Sequence, residues 1–115
     1  MSLGWIGVDL DGTLAEYHGW GDGSIGKPIP KMMNRVKEWL ASGNTVKIFT
    51  ARANSDAQRI MVHAWLEENG LAGLEVTSTK DFGMIELWDD RCIQVIPNTG
   101  MSIAEYVTTP PHERE

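Results

Sequence analysis

Residues 5–14 of the chain read WIGVDLDGTL. The first four residues of this stretch are apolar or glycine, and two aspartates, Asp9 and Asp11, follow almost at once. A short apolar run of this kind is typical of a strand that is buried on both faces of a sheet. Gly12 then indicates a turn. We therefore predict a buried strand from Trp5 to Asp9, with acidic side chains at its carboxyl end.

Outward from this strand, the apolar residues recur with alternating helical and strand-like spacing. A helix is predicted over Lys31–Ser42 and a second one over residues 55–68. The other predicted elements are strands over Val46–Thr50, Leu74–Thr77, Ile85–Trp88 and Cys92–Ile96 and a short helix over Ser102–Val107. Strands that alternate with helices favour a parallel sheet with helices on its faces. The sequence therefore predicts an α/β domain with a mainly parallel five-stranded sheet.

The size and charge of the chain limit the classes of function. Its 115 residues predict a single domain over residues 1–115, and no apolar run approaches the roughly 20 residues that cross a bilayer. We expect no secretory signal, no membrane partner and a cytoplasmic location. The single cysteine, Cys92, cannot form an internal disulfide and is expected to be a buried thiol. A net charge of -6 argues against an extended nucleic-acid-binding surface but allows one phosphate in a local pocket. The pattern specifies no oligomeric state.

Polar residues stand at the carboxyl ends of four predicted strands. They are Asp9 with Asp11, Thr50, Lys80, and Asp89 with Asp90. Ligands of parallel α/β sheets bind outside this edge, so we expect the side chains to form one site. Of two carboxylates spaced two residues apart, one can attack phosphorus to form an aspartyl-phosphate, while the other acts as general acid and base. Gly12 lets the backbone approach an anion, and the amides beyond it, from Thr13 on, can donate to phosphoryl oxygens.

Asp89 and Asp90 form an acid pair directly after an apolar strand. Close to Asp9 and Asp11, these carboxylates would repel one another unless a cation neutralised them. Oxygen ligands suit a hard ion, so we predict a Mg²⁺ site that also bridges to a substrate phosphate. The alternative interpretation is a charged loop in which the acids pair with Arg91.

Several other polar residues have a structural interpretation beside the functional one. Thr50 can donate to a phosphoryl oxygen or cap the next segment. Arg52 can bind phosphate with its planar fork or form a surface salt bridge. Lys80 can offset negative charge at the site or lie in solvent, and Lys47 is a weaker competitor because it stands within a predicted strand.

The segment Glu16–Lys27 is rich in glycine and aromatic residues, which predicts a mobile loop or loose hairpin beside the strand ends. His18 in this loop is a candidate substrate contact. Trp20 can stack on a base or sugar, or it can anchor the loop. At the other end of the chain, prolines follow the last predicted helix, and we expect residues 108–115 to form a disordered tail.

The run Asp9-Leu10-Asp11-Gly12-Thr13-Leu14 resembles the first motif of the haloacid dehalogenase (HAD) superfamily. Its second, third and fourth motifs are similar to Thr50, Lys80 and Asp89-Asp90, which follow in the same order. The resemblance spans about Gly4 to Ile96. It implies a Rossmann-like three-layer core and a magnesium-dependent phosphatase mechanism.

The same resemblance implies a role for each motif residue. Asp9 is expected to be the nucleophile, and Asp11 the general acid and base. Thr50 and Lys80 are expected to bind phosphate. The metal ligands implied are Asp9, the backbone carbonyl of Asp11, and Asp89, with Asp90 assisting directly or through water.

The resemblance also implies a class of substrate. Superfamily members often carry a cap domain, for which this chain has no room, so only the loop Glu16–Lys27 can serve as a flap. Capless members commonly act on large or exposed substrates. The elements at residues 50–52 and 89–91 are similar to those of polynucleotide 3′-phosphatase domains and of small capless phosphatases from bacteria and phages. We therefore expect the partner to be a phosphorylated small molecule, such as a nucleotide, or an exposed phosphate on a macromolecule, such as a polynucleotide end.

Two other functions remain open. A phosphoacceptor receiver domain is also a small parallel α/β domain with clustered acids, a threonine, a lysine and magnesium. In a receiver, however, paired acids come on the first strand and the phosphorylated aspartate on a middle one, whereas here the acid pair comes last. The second alternative is a HAD-fold protein that binds phosphate or a partner without turnover.

Overall fold

The computed structural model describes residues 4–19 and 21–113 and has a sheet of four parallel strands at its centre. The strands are β1 (Trp5–Val8), β2 (Thr45–Phe49), β3 (Glu75–Thr77) and β4 (Met84–Trp88), arranged in the order β3-β2-β1-β4. The predicted α/β class and the parallel sheet are confirmed, and the observed strand ends lie within a residue of those predicted.

Strand β1 lies between β2 and β4, and this position explains its apolar sequence. All four of its residues are buried. Val8 is paired with Ile48 on one side and with Trp88 on the other. A strand with neighbours on both edges and covered faces cannot accommodate polar side chains without cost, so the polar residues begin only where β1 ends. That end is the carboxyl edge of the sheet.

Three helices accompany the sheet: α1 (Pro30–Ala41), α2 (Asp56–Glu68) and α3 (Ile103–Thr108). Helix α1 begins with a proline, which suits a first turn, and buries Met32, Met33 and Val36. Helix α2 is capped by Ser55, whose hydroxyl accepts from the backbone N–H of Gln58. Two 3-10 turns, Ala51–Asn54 and Pro111–Glu113, complete the regular structure of the described residues. In that part of the chain, no helix has the length and apolar character needed to span a membrane.

The predicted fifth strand, Cys92–Ile96, is wrong for the described chain. Its pairing there is an isolated antiparallel bridge between Val95 and Ser102. Only residues 89–91 separate it from β4, which is far too short for a crossover to a parallel neighbour. An antiparallel hairpin would use the acids Asp89 and Asp90 as its turn. Instead, the backbone N–H of Arg91 donates to Oδ1 of Asp89 at 2.8 Å, and the chain leads away from the sheet.

The loop Glu16–Lys27 has a closed base. The backbone N–H of Glu16 donates to the carbonyl of Lys27 at 2.8 Å, and Ala15 bridges to Pro28. The indole N–H of Trp65 in α2 donates to the carbonyl of Gly26 at 2.9 Å, so the loop is also tied to a helix. Of the predicted tail, residue 108 ends α3 and residues 111–113 form the second 3-10 turn.

Candidate functional site

Three carboxylates from two neighbouring strand ends meet at the carboxyl edge of the sheet. Asp9 follows β1, and its backbone N–H donates to the carbonyl of Trp88, the last residue of β4, at 2.9 Å. This bond places Asp9 beside Asp89 and Asp90. Oxygen atoms of the three side chains lie within 4.8 Å of one another. Acids that follow the first and fourth strands therefore lie together, as the sequence predicted.

The acid cluster, defined as Asp9, Asp89 and Asp90, carries a strong electrostatic penalty. The pKa of Asp9 is raised from an ordinary 3.8 to about 7, first by burial, then by its hydrogen bond with Asp90 and by the charges of Asp89 and Asp90. A donor set made only of oxygens, with mutual repulsion and atoms close enough to share one ligand, fits a hard divalent cation such as Mg²⁺. The side chain of Asp11 is outside this group, so its predicted contribution to the metal remains that of its backbone carbonyl.

Gly12 and Thr13 build the floor of the cluster. Gly12 has φ +93°, and a Cβ added there would lie 2.5 Å from Oδ2 of Asp90, so only glycine leaves room for that carboxylate. The Thr13 hydroxyl lies 3.2 Å from Oδ2 of Asp9 and from Oδ1 of Asp90, and it accepts from the backbone N–H of Asp90 at 3.0 Å. A single hydroxyl therefore holds two of the acids in place.

The backbone amides of Gly12 and Thr13 have partners within their own turn. Gly12 N–H donates to the carbonyl of Ala15 at 2.8 Å, and Thr13 N–H donates to the carbonyl of Leu10 at 3.2 Å. The Thr13 amide, which we predicted to donate to a phosphate, is thus engaged in the turn, as is the amide of Gly12. The structure gives the two residues a role in positioning the acids.

Asp11 points to Arg52, which stands in the 3-10 turn after β2. Both carboxylate oxygens of Asp11 accept from the guanidinium: Nε at 2.8 Å and Nη2 at 3.0 Å. The Arg52 side chain is only 4% exposed, and its Nη1 also donates to the carbonyl of Gly23 and to Oε1 of Gln58. We considered a surface salt bridge for Arg52, but its guanidinium is buried and forms a bidentate pair with Asp11. One guanidinium connects Asp11, the loop and α2.

Thr50 is buried at the end of β2, where its hydroxyl accepts from the backbone N–H of Arg52 at 3.2 Å. This bond caps the following 3-10 turn, which is the structural interpretation of Thr50. Thr50 also lines a cavity of 530 Å³ at the sheet edge. The cavity wall brings together the acid cluster, Asp11 and Arg52 with Tyr17, Phe49, Ala51, Ser55, Gln58 and Arg91.

Lys80 and His18 lie elsewhere. Lys80 is exposed and lines a second cavity, of 650 Å³, which shares Asp89 with the first and is also lined by Trp88 and Cys92. His18 is exposed, with Nε2 3.3 Å from Oε1 of Glu16. Trp20 is outside the described residues. The structure therefore brings Asp9, Asp11, Thr50, Asp89 and Asp90 to one cavity and places Lys80 at a neighbouring one.

Comparison with known proteins gives a likeness of structure but none of sequence. No family model matches the chain, and no sequence among the curated proteins does. The chain is similar to a solved structure of a conserved protein from Bacteroides thetaiotaomicron, with a TM-score of 0.64 over 82% of this chain and 81% of that one. The two sequences are 20% identical, so what they share is the α/β fold.

Some residues of the cavity were not foreseen. Ser55 and Gln58 belong to the start of α2, and Tyr17 to the loop. The helix that follows a parallel strand begins at the carboxyl edge of the sheet, so the first turn of α2 was the available signal for Ser55 and Gln58. Cys92 is exposed, which makes the predicted buried thiol wrong, because its segment does not join the sheet. Partial burial, followed by the charges of Asp89, Asp9 and Asp90, raises the pKa of this thiol and lowers its reactivity.

Proposed function

We propose that this protein is a magnesium-dependent phosphatase that hydrolyses a phosphate monoester through an aspartyl-phosphate on Asp9. The observation that carries the proposal is the meeting of Asp9, Asp89 and Asp90, with oxygen atoms within 4.8 Å, at the ligand-binding edge of a parallel sheet. The order of motifs along the chain supports it. A capless HAD-type core with Rossmann-like three-layer architecture belongs to the same proposal.

In the first step, a carboxylate oxygen of Asp9 attacks phosphorus, and the bond from phosphorus to the leaving oxygen breaks. The Thr13 hydroxyl, at 3.2 Å from Oδ2, orients the Asp9 carboxylate for this attack. A bound Mg²⁺ supplies positive charge that keeps Asp9 ionised and offsets the charge on the phosphoryl oxygens. Asp11 gives a proton to the leaving alkoxide.

In the second step, Asp11 takes a proton from a water molecule, which attacks phosphorus and frees the Asp9 carboxylate. Both oxygens of Asp11 accept from Arg52 in this structure, an arrangement that suits the ionised, base form. A protonated carboxyl cannot accept at both oxygens in the same way. We therefore expect the Asp11–Arg52 pair to open at one oxygen when Asp11 serves as the acid.

The cavity supports a substrate whose phosphate is exposed. Its walls carry Tyr17 and Phe49, which can contact an apolar or planar group, and Arg91, which can pair with an anion. The loop Glu16–Lys27 contributes Tyr17 to these walls. A nucleotide, a polynucleotide end or another exposed phosphate is the class that we propose.

Hydrolysis of p-nitrophenyl phosphate tests the proposal. We expect phosphate release that requires Mg²⁺ and is lost in Asp9→Asn, because an amide cannot attack phosphorus. Asp56→Asn, an exposed aspartate at the start of α2, is the matched control and should keep the rate. Turnover that persists in Asp9→Asn would contradict the mechanism.

Acid quenching during turnover separates the two alternatives. A phosphoenzyme that forms on Asp9 and is rapidly replaced supports the phosphatase. Stable phosphorylation with little turnover would favour a receiver domain. Binding of Mg²⁺ and phosphate without phosphorylation would favour a non-catalytic HAD-fold protein.

A further inference from the structure

Residues 92–113 form a C-terminal arm. None of these residues is buried. Its start is a small antiparallel turn, in which Ile96 N–H donates to the carbonyl of Met101 at 2.8 Å. Helix α3 follows and buries no residue. The arm nevertheless carries large apolar side chains: Ile93 is 78% exposed, Val107 62% and Val95 51%. Exposed apolar side chains in this number are unusual for a segment that has no partner to cover it.

Strand β4 offers a second incomplete surface in the same chain. It stands at the end of the strand order, and in the described chain no strand pairs with its outer edge. Ile85 on this strand is 59% exposed, and Phe82 just before it is fully exposed. Open strand edges of this kind bind further strands unless something covers them.

The accessible surface of the chain indicates how much area a partner could cover. The accessible surface is 7755 Å² for a mass of 12.8 kDa. A compact monomer of that mass exposes about 6,300 Å², so the chain exposes about 1,500 Å² more than expected. Its radius of gyration of 16.3 Å likewise exceeds the roughly 13 Å of a compact domain of this length. A stable interface covers about 800 Å² on each partner, so the excess is enough for one.

We propose that two copies of this chain associate by exchanging their C-terminal arms, each arm covering the β4 edge of the other copy. Each chain has both an arm and an open β4 edge. When two copies exchange arms, both arms and both edges are covered, and the dimer is closed with two-fold symmetry. Its own arm cannot lie along β4 in parallel, because only residues 89–91 link them. A partner's arm has no such restriction and brings Ile93 and Val95 to the open edge.

Sedimentation equilibrium of the full chain from 1 to 200 µM tests this proposal. We expect a dimer, and we expect Ile93→Asp and Val107→Asp each to weaken it roughly tenfold or more, because a charge would be buried at the interface. Both side chains are exposed in the single chain, so neither change should affect its folding, which far-UV circular dichroism checks. Ala72→Asp, in an exposed loop between α2 and β3, introduces the same charge and should leave the dimer intact.

A protein that is monomeric throughout this range would overturn the proposal. So would a dimer whose dissociation constant is the same in Ile93→Asp, Val107→Asp and Ala72→Asp. These measurements need no substrate and no Mg²⁺, so their outcome is independent of the phosphatase proposal.

Discussion

Asp9 and Asp11 stand two residues apart, yet their side chains serve different partners. Asp9 joins the acid cluster, where the cation is expected, while Asp11 forms a bidentate pair with the buried guanidinium of Arg52. The two carboxylates therefore have different surroundings, which suit different roles. In the proposed mechanism, Asp9 faces the metal and phosphorus, and Asp11 lies outside the acid cluster, where it would transfer the proton.

This division predicts the effect of Asp11→Asn. The amide cannot donate or take the proton, so we expect kcat to fall by roughly a hundredfold or more, while a phosphoenzyme can still form on Asp9 from an activated ester such as p-nitrophenyl phosphate. Stopped-flow phosphate release measures the rate, and thermal unfolding checks the fold. An unchanged rate would exclude Asp11 as the acid–base group.

At the residue scale, the sequence predicted where the acids stand but not how each is held. Alternation of strands and helices places Asp9 and Asp89 at one edge, since parallel strands share their direction. The pairing of Asp11 with Arg52 depends on the fold of the 3-10 turn Ala51–Asn54, which no local pattern announced. The same holds for the hydroxyl of Thr13, whose partner Asp90 is 77 positions away.

At the scale of elements, Arg52 connects three parts of the molecule. Its guanidinium contacts the end of β1 through Asp11, the loop Glu16–Lys27 through the carbonyl of Gly23, and α2 through Gln58. If the loop moves, this guanidinium is the contact through which the proposed acid–base group Asp11 would be affected. The loop that we predicted to serve as a flap therefore contacts the same side chain that holds Asp11.

Arg52→Lys tests this link. Lysine keeps the charge but not the planar fork, so it cannot hold both oxygens of Asp11 together with Gly23. We expect a lower kcat, by about tenfold, and faster proteolytic cleavage within the loop. Gln58→Ala removes one partner but leaves both bonds to Asp11, so its kcat should stay within about twofold of wild type. Equal loss of kcat in the two variants would show that the link to Asp11 is not what matters.

The predicted strands and helices failed in one place, and the reason is physical. Three of residues 92–96 are β-branched (Ile93, Val95 and Ile96), which favours a strand, but a strand also needs a neighbour that the chain can reach. Local composition records the first condition and not the second. Only residues 89–91 separate β4 from residues 92–96, and this short link prevents them from pairing in parallel with the sheet.

At the scale of the whole molecule, the acid cluster should make stability depend on pH. The pKa of Asp9 is about 7 in the folded protein against 3.8 in the unfolded chain, so the folded state binds the proton more tightly. Without metal, the contribution of Asp9 to stability is therefore greatest below about pH 4 and is lost as the pH rises to 7 and above. Asp22 and Asp81 have lowered pKa values, so their contributions are lost only as the pH falls below about 4. The two effects occupy different pH ranges.

Mg²⁺ should reverse this loss, because it binds the ionised carboxylates that are unfavourable alone. We expect the increase in Tm on adding Mg²⁺ to be larger at pH 8 than at pH 5, where protons compete for Asp9. In Asp9→Asn, the metal-free protein should be more stable than wild type at pH 8, and Mg²⁺ should raise its Tm less. Each 1 kcal/mol of stabilisation by Mg²⁺ corresponds to about 4 °C in Tm for a domain of this size, well within the resolution of thermal unfolding. An equal Mg²⁺ effect in both proteins and at both pH values would place the cation away from Asp9. The proposed nucleophile would then lack the charge that keeps it ionised at neutral pH.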